Sequence, residues 1–137
     1  MGLDQVQQGD PDHTVSGERP LRIIGAALAL VAGAIHIALS VTDLIPGEAT
    51  RGPAFLAMGI GYFGCAALLF ARQMELHVLI AVYALSLIGA YAFTRASMPV
   101  EAIGLASKAA ELGLAAVAIV LARRPVRART AATGTRE

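Results

Sequence analysis

The sequence predicts an all-α fold of one particular kind, an integral membrane four-helix bundle running up-down-up-down with both termini on the cytoplasmic side. Three observations carry that expectation. Of the 137 residues, 56% are hydrophobic and 15% charged, and Trp is absent. A soluble domain holds about 45–50% apolar and about 25% charged residues, so the composition points to lipid as the solvent. The apolar residues also cluster: Ile23–Val41, Pro53–Ala71, Leu76–Thr94 and Ala102–Ala122 are each about 19–21 residues long, close to the roughly 20 needed to cross a hydrocarbon core of about 30 Å. Finally, the links between them are short, which makes sequential helices antiparallel neighbours. Lipid admits only helices or closed barrels, and the pattern is wrong for a barrel.

The elements follow in order. Residues 1–20 hold Asp4, Asp10, Asp12 and Glu18 against Arg19 and are expected to form a disordered cytoplasmic tail. This acidic lead is the wrong n-region for a cleaved signal peptide, and the apolar run behind it exceeds the usual 7–15 residues. The first helix is therefore expected to stay, over about 22–45. Pro46-Gly47 and Arg51-Gly52-Pro53 break the chain before a second helix over 53–71. Arg72 to Glu75 separate it from a third over 76–95, and Ser97-Met98-Pro99 precede a fourth over 101–123. The remainder, 124–137, carries Arg124, Arg127, Arg129 and Arg136 and reads as a basic cytoplasmic tail that touches anionic headgroups rather than nucleic acid. Arg19, Arg22, Arg72 and the arginines after helix four share one side, and only Arg51 and Arg95 lie on the other, which gives the inward placement of both ends. The four helices make a single domain.

Two motifs are set aside. Gly59-Ile-Gly61-Tyr-Phe-Gly64 spells GxGxxG, but no strand precedes it and no βαβ unit surrounds it. Within an apolar helix such glycines serve close packing, as does the ridge Gly25, Ala29 and Gly33 on the first helix. His36 lies about 14 residues into the first helix, whereas His77 starts the third on the cytoplasmic side, so their heights differ by roughly 20 Å. No metal, haem or other cofactor is expected. Cys65 stands alone, so no internal disulfide can form, and it reads as a small packing residue.

Chemistry concentrates where charge interrupts the apolar run. Lys108 and Glu111 lie three residues apart within the fourth apolar segment. An ionisable group in hydrocarbon costs roughly 2.5–3.5 kcal/mol or more, so such residues face the bundle interior and have partners. At 1.5 Å per residue Lys108 is about 9 Å and Glu111 about 14 Å below the outer boundary. His36, Tyr62 and Ser86 fall at about the depth of Glu111, one from each other helix. On the first helix His36, Ser40 and Asp43 follow i, i+4, i+7 spacing and form a stripe leading outward. The expected layer therefore comprises His36, Ser40, Asp43, Tyr62, Ser86, Lys108 and Glu111. It serves either to fix helix register or as a binding or proton-handling site.

The stretches Gly33-Ala-Ile-His36-Ile, Phe55-Leu-Ala-Met-Gly-Ile-Gly61-Tyr-Phe-Gly64 and Ser107-Lys108-Ala-Ala-Glu111 resemble uncharacterised small four-helix integral membrane proteins of archaea and bacteria over residues 21–122. That resemblance implies a fold and no activity. The function expected is a non-catalytic component of the cytoplasmic membrane, an accessory subunit or a small homo-oligomer, whose partners are the lipid bilayer and another membrane chain. The alternative is a small proton-linked or small-solute carrier with Glu111 as proton acceptor, His36 as relay and Lys108 as the tuning charge. An enzyme is not expected, since no nucleophile–base pair or ligand spacing is visible.

Overall fold

The computed structural model describes residues 18–41, 52–71, 73–95 and 101–133. They form four helices: α1 Glu18–Val41, α2 Gly52–Leu68, α3 Met74–Arg95 and α4 Ala102–Thr133. The fold is all-α. Three helices, over Glu18–Val41, Met74–Thr94 and Ala102–Arg123, are long and apolar enough to cross a membrane, and α2 is apolar but has 17 residues.

The bounds differ from the expected ones for local reasons. The first helix begins at Glu18, inside the segment read as a tail. Two residues of the expected loop, Met74 and Glu75, open α3. At its C-terminal end α2 stops at Leu68, and residues 69–71 continue as turns with bonds from Phe70 N–H to the Ala67 carbonyl and from Ala71 N–H to the Leu68 carbonyl. The segment read as a basic tail from 124, with disorder expected over 125–137, instead continues the fourth helix as far as Thr133. Its Ala and Arg are strong helix formers, and they carry the helix past Pro125, which lacks one backbone donor. The expected extension of the first helix to 45 lies outside the described residues.

Arg22 ties the turn that follows α2 to α1. Its Nη1 donates to the carbonyls of Leu69 (2.7 Å) and Ala71 (2.8 Å), and its Nη2 pairs with Glu18 at 3.0 Å. The last carbonyls of a helix lack internal partners and carry the negative end of its dipole, so a guanidinium there both caps and neutralises. Charge-assisted bonds of this kind are worth about 1.5–3 kcal/mol each. Arg22→Met is therefore expected to lower the thermal midpoint in detergent by several degrees, and Arg22→Lys by less, as a denaturation series would show.

Packing does not simply follow chain order. α1 packs extensively on α2 and on α4, and α3 packs on α4, whereas α2 and α3 barely touch despite their short link. The glycines set the closest approach. A Cβ on Gly33 would lie 3.1 Å from the Gly59 carbonyl oxygen, and one on Gly59 would lie 3.0 Å from that of Gly33. These small residues let α1 and α2 come together backbone to backbone. Between α2 and α3, by contrast, Tyr83 stands as a spacer, its hydroxyl donating to the Met58 carbonyl at 2.9 Å.

The interior is mostly alanine, with Tyr62, Leu69, Ile80, Leu114 and Leu121 as the larger core residues. Polar His36, Ser107 and Glu111 are buried among them, while Ile24, Ile60, Leu79, Phe93 and Leu112 face outward. A buried carboxylate and so many large apolar side chains on the surface depart from the usual distribution in a water-soluble domain.

Candidate functional site

Glu111 organises the site. Its side chain is wholly buried on α4, and a carboxylate so placed must be matched by donors and an opposite charge. Helical spacing supplies both from its own helix. Ser107, one turn earlier, donates its hydroxyl to Oε1 at 2.8 Å. Lys108, three residues earlier, places Nζ 2.5 Å from both Oε1 and Oε2. Residues at i, i+3 and i, i+4 share a helix face, so the cluster is written directly into Ser107-Lys108-Ala-Ala-Glu111.

α1 brings His36 against it. Imidazole Nδ1 lies 2.9 Å from the Ala32 carbonyl, which can only accept, so this nitrogen carries the hydrogen. In the neutral ring Nε2 is then the acceptor, and it faces Glu111 Oε1 at 3.8 Å. Aromatic rings surround the cluster: Tyr62 lies 5.4 Å and Phe55 6.1 Å from the His36 ring, and Tyr83 meets Tyr62 edge-on at 5.2 Å. The Tyr62 hydroxyl is buried beside the His36 ring. Lys108 Nζ sits 5.3 Å from the Tyr91 ring centroid, a cation–π distance.

A cavity of about 270 Å³ opens beside this cluster, and all four helices line it. α2 and α3 face each other across it through Phe55 and Met58 on one side and Leu87 and Tyr91 on the other. His36, Ser107 and Lys108 supply its polar lining in the depth of the bundle, with Thr94 and Glu101 towards the helix ends.

Of the residues expected in the polar layer, His36, Tyr62, Lys108 and Glu111 do meet. Ser40 does not join them, because its hydroxyl donates to the Ile37 carbonyl of its own helix at 2.7 Å. Asp43 lies outside the described residues. Ser86 is exposed, which corrects its place among the buried groups. It has the right depth but precedes Leu87 by one position, so it is rotated by about 100° from the inward stripe. That stripe runs through Tyr83, Leu87 and Tyr91, of which Tyr83 bonds the Met58 carbonyl and Tyr91 places its ring 5.3 Å from Lys108 Nζ. Ser107 was missed as well, although its i, i+4 relation to Glu111 is visible in the sequence. Among the described residues no three His, Cys, Asp or Glu side chains gather as a metal site requires.

A family model described as a family of unknown function (DUF7475) matches residues 8–122, and the chain belongs to that family. No curated protein and no solved structure matches it.

Proposed function

We propose that this family member is a multi-pass protein of the cytoplasmic membrane, with both ends inside. It serves there as a non-catalytic component, an accessory subunit or a small homo-oligomer. The observation that carries this reading is a wholly buried Glu111, satisfied by its own chain, inside a bundle that turns many large apolar side chains outward. In lipid that arrangement has the sign expected for stability, because outward apolar groups lose nothing and the charges are hidden. α2 spans only about 26 Å at 17 residues, a shortfall of a few Å that local thinning accommodates. The inward orientation rests on the arginines at 19, 22, 72, 123 and 124 against those at 51 and 95.

A second reading, a proton-linked or small-solute carrier, is favoured by one observation. His36 Nε2 faces Glu111 across 3.8 Å next to a cavity, where a proton could pass between the two.

Two measurements test the leading reading. With Cys65 changed to Ala, Thr130→Cys is expected to react with a membrane-impermeant maleimide in inside-out vesicles and not in intact cells; labelling from outside would overturn the orientation. The intact assembly, released in mild detergent, is expected to exceed the 14.1 kDa of one chain. A lone monomer would count against a component role.

A further inference from the structure

We propose that the cavity between α2 and α3 is a binding site for a neutral, lipid-soluble molecule whose planar ring carries carbonyl oxygens, as a quinone headgroup does. This deepens the membrane reading, since such a molecule would come from the bilayer. The cavity of about 270 Å³ lies at the small end of the range of ligand sites, about 300–1,000 Å³, enough for a one- or two-ring headgroup with its tail outside. Ligand sites of this kind are apolar with a few polar groups placed to orient the guest.

The lining selects for charge and shape. Phe55, Met58, Leu87 and Tyr91 give an apolar, partly aromatic slot, into which a flat ring fits with favourable stacking. At its polar end Lys108 is bound to both oxygens of Glu111, and His36 turns Nδ1 to the Ala32 carbonyl. An anionic guest would sit close to Glu111, whose counter-charge is already engaged, and a cationic one at this end would face the Lys108 ammonium, the Glu101 carboxylate lying farther off towards the helix ends. Two unspent groups remain for a neutral guest. Lys108 has three N–H donors, of which two serve the carboxylate, and in the neutral ring His36 Nε2 holds a lone pair. A carbonyl accepts from the first, and a ring hydroxyl of the reduced form donates to the second.

The test uses purified full-length protein and 2-methyl-1,4-naphthoquinone as probe, with binding followed by calorimetry in detergent. Saturable binding at one site per chain is expected. 2-Methylnaphthalene, which has the same rings without carbonyls, should bind at least about tenfold more weakly, since it leaves the ammonium donor unpaired. Laurate should not compete. Ala90→Phe, which fills the slot away from the ion pair, should abolish binding while the thermal midpoint stays near that of the parent; Phe55→Leu should weaken it severalfold and guards against misfolding of the first variant. Equal affinity for the two naphthalenes, preferential binding of laurate, or binding unaffected by both substitutions would each overturn the proposal. A protein that proves soluble without detergent would sink the membrane reading instead, and binding could still be measured in buffer.

Discussion

Lys108→Met and Glu111→Gln are each expected to remove most of the folded protein, and the double variant to restore it. The reason is asymmetry. Glu111 is wholly buried and Lys108 largely so, and each relieves the other's desolvation at 2.5 Å. Deleting one partner leaves an uncompensated charge, which costs about 3–5 kcal/mol, whereas replacing both with neutral groups of similar volume is close to neutral. Against a total stability of about 5–15 kcal/mol, the single loss is enough to deplete the folded state. Gln at 111 still accepts from Ser107, so the double variant keeps that hydrogen bond. Size-exclusion yield and thermal midpoint in mild detergent read the outcome, and the coupling should equal most of the single-variant cost. The carrier reading expects otherwise: Glu111→Gln would express and fold normally yet abolish a pH-dependent flux in proteoliposomes. That result would overturn the structural role of the pair.

The pair was legible in the sequence because charge within apolar helices is rare and must be explained by burial. Depth was legible too, since a fixed rise per residue converts loop positions into heights, and it brought His36 and Tyr62 to the level of Glu111. The azimuth was not. Ser86 failed for that reason alone, and Ser107 was overlooked although it shares a face with Glu111. Chain connectivity misled in a different way. A short link makes α2 and α3 sequential neighbours, but which helices press together depends on side-chain size at the contact. Gly33 and Gly59 draw α1 onto α2, while Tyr83 holds α3 away from α2, and the cavity lies where those two preferences part. Likewise, Arg22 ties the turn that follows α2 to another helix, a contact remote in sequence.

The three glycines of Gly59-Ile-Gly61-Tyr-Phe-Gly64 should separate cleanly when each is changed to Ala. A Cβ at Gly64 meets nothing within 4 Å, so Gly64→Ala gains only helix propensity and is expected to stabilise by up to about 1 kcal/mol. At Gly59 the new methyl would lie 2.7 Å from Ile37 Cγ1, 3.0 Å from the Gly33 carbonyl oxygen and 3.3 Å from the Ile37 nitrogen. Two of those three are backbone atoms, so α1 and α2 must move apart, and overpacking of this kind costs about 1–3 kcal/mol. Propensity offsets part of the cost without reversing its sign. Gly61→Ala collides with the Tyr83 hydroxyl, a movable group, but moving it breaks the bond to the Met58 carbonyl and disturbs the wall between α2 and α3. Its loss should therefore be large and be relieved in part by Tyr83→Leu, whereas no side-chain change on α3 should rescue Gly59→Ala. Thermal midpoints of the three variants decide the matter. Equal losses at all three positions would mean that the glycines serve something other than helix approach, and a neutral Gly59→Ala would remove the close α1–α2 contact on which the order of the bundle depends.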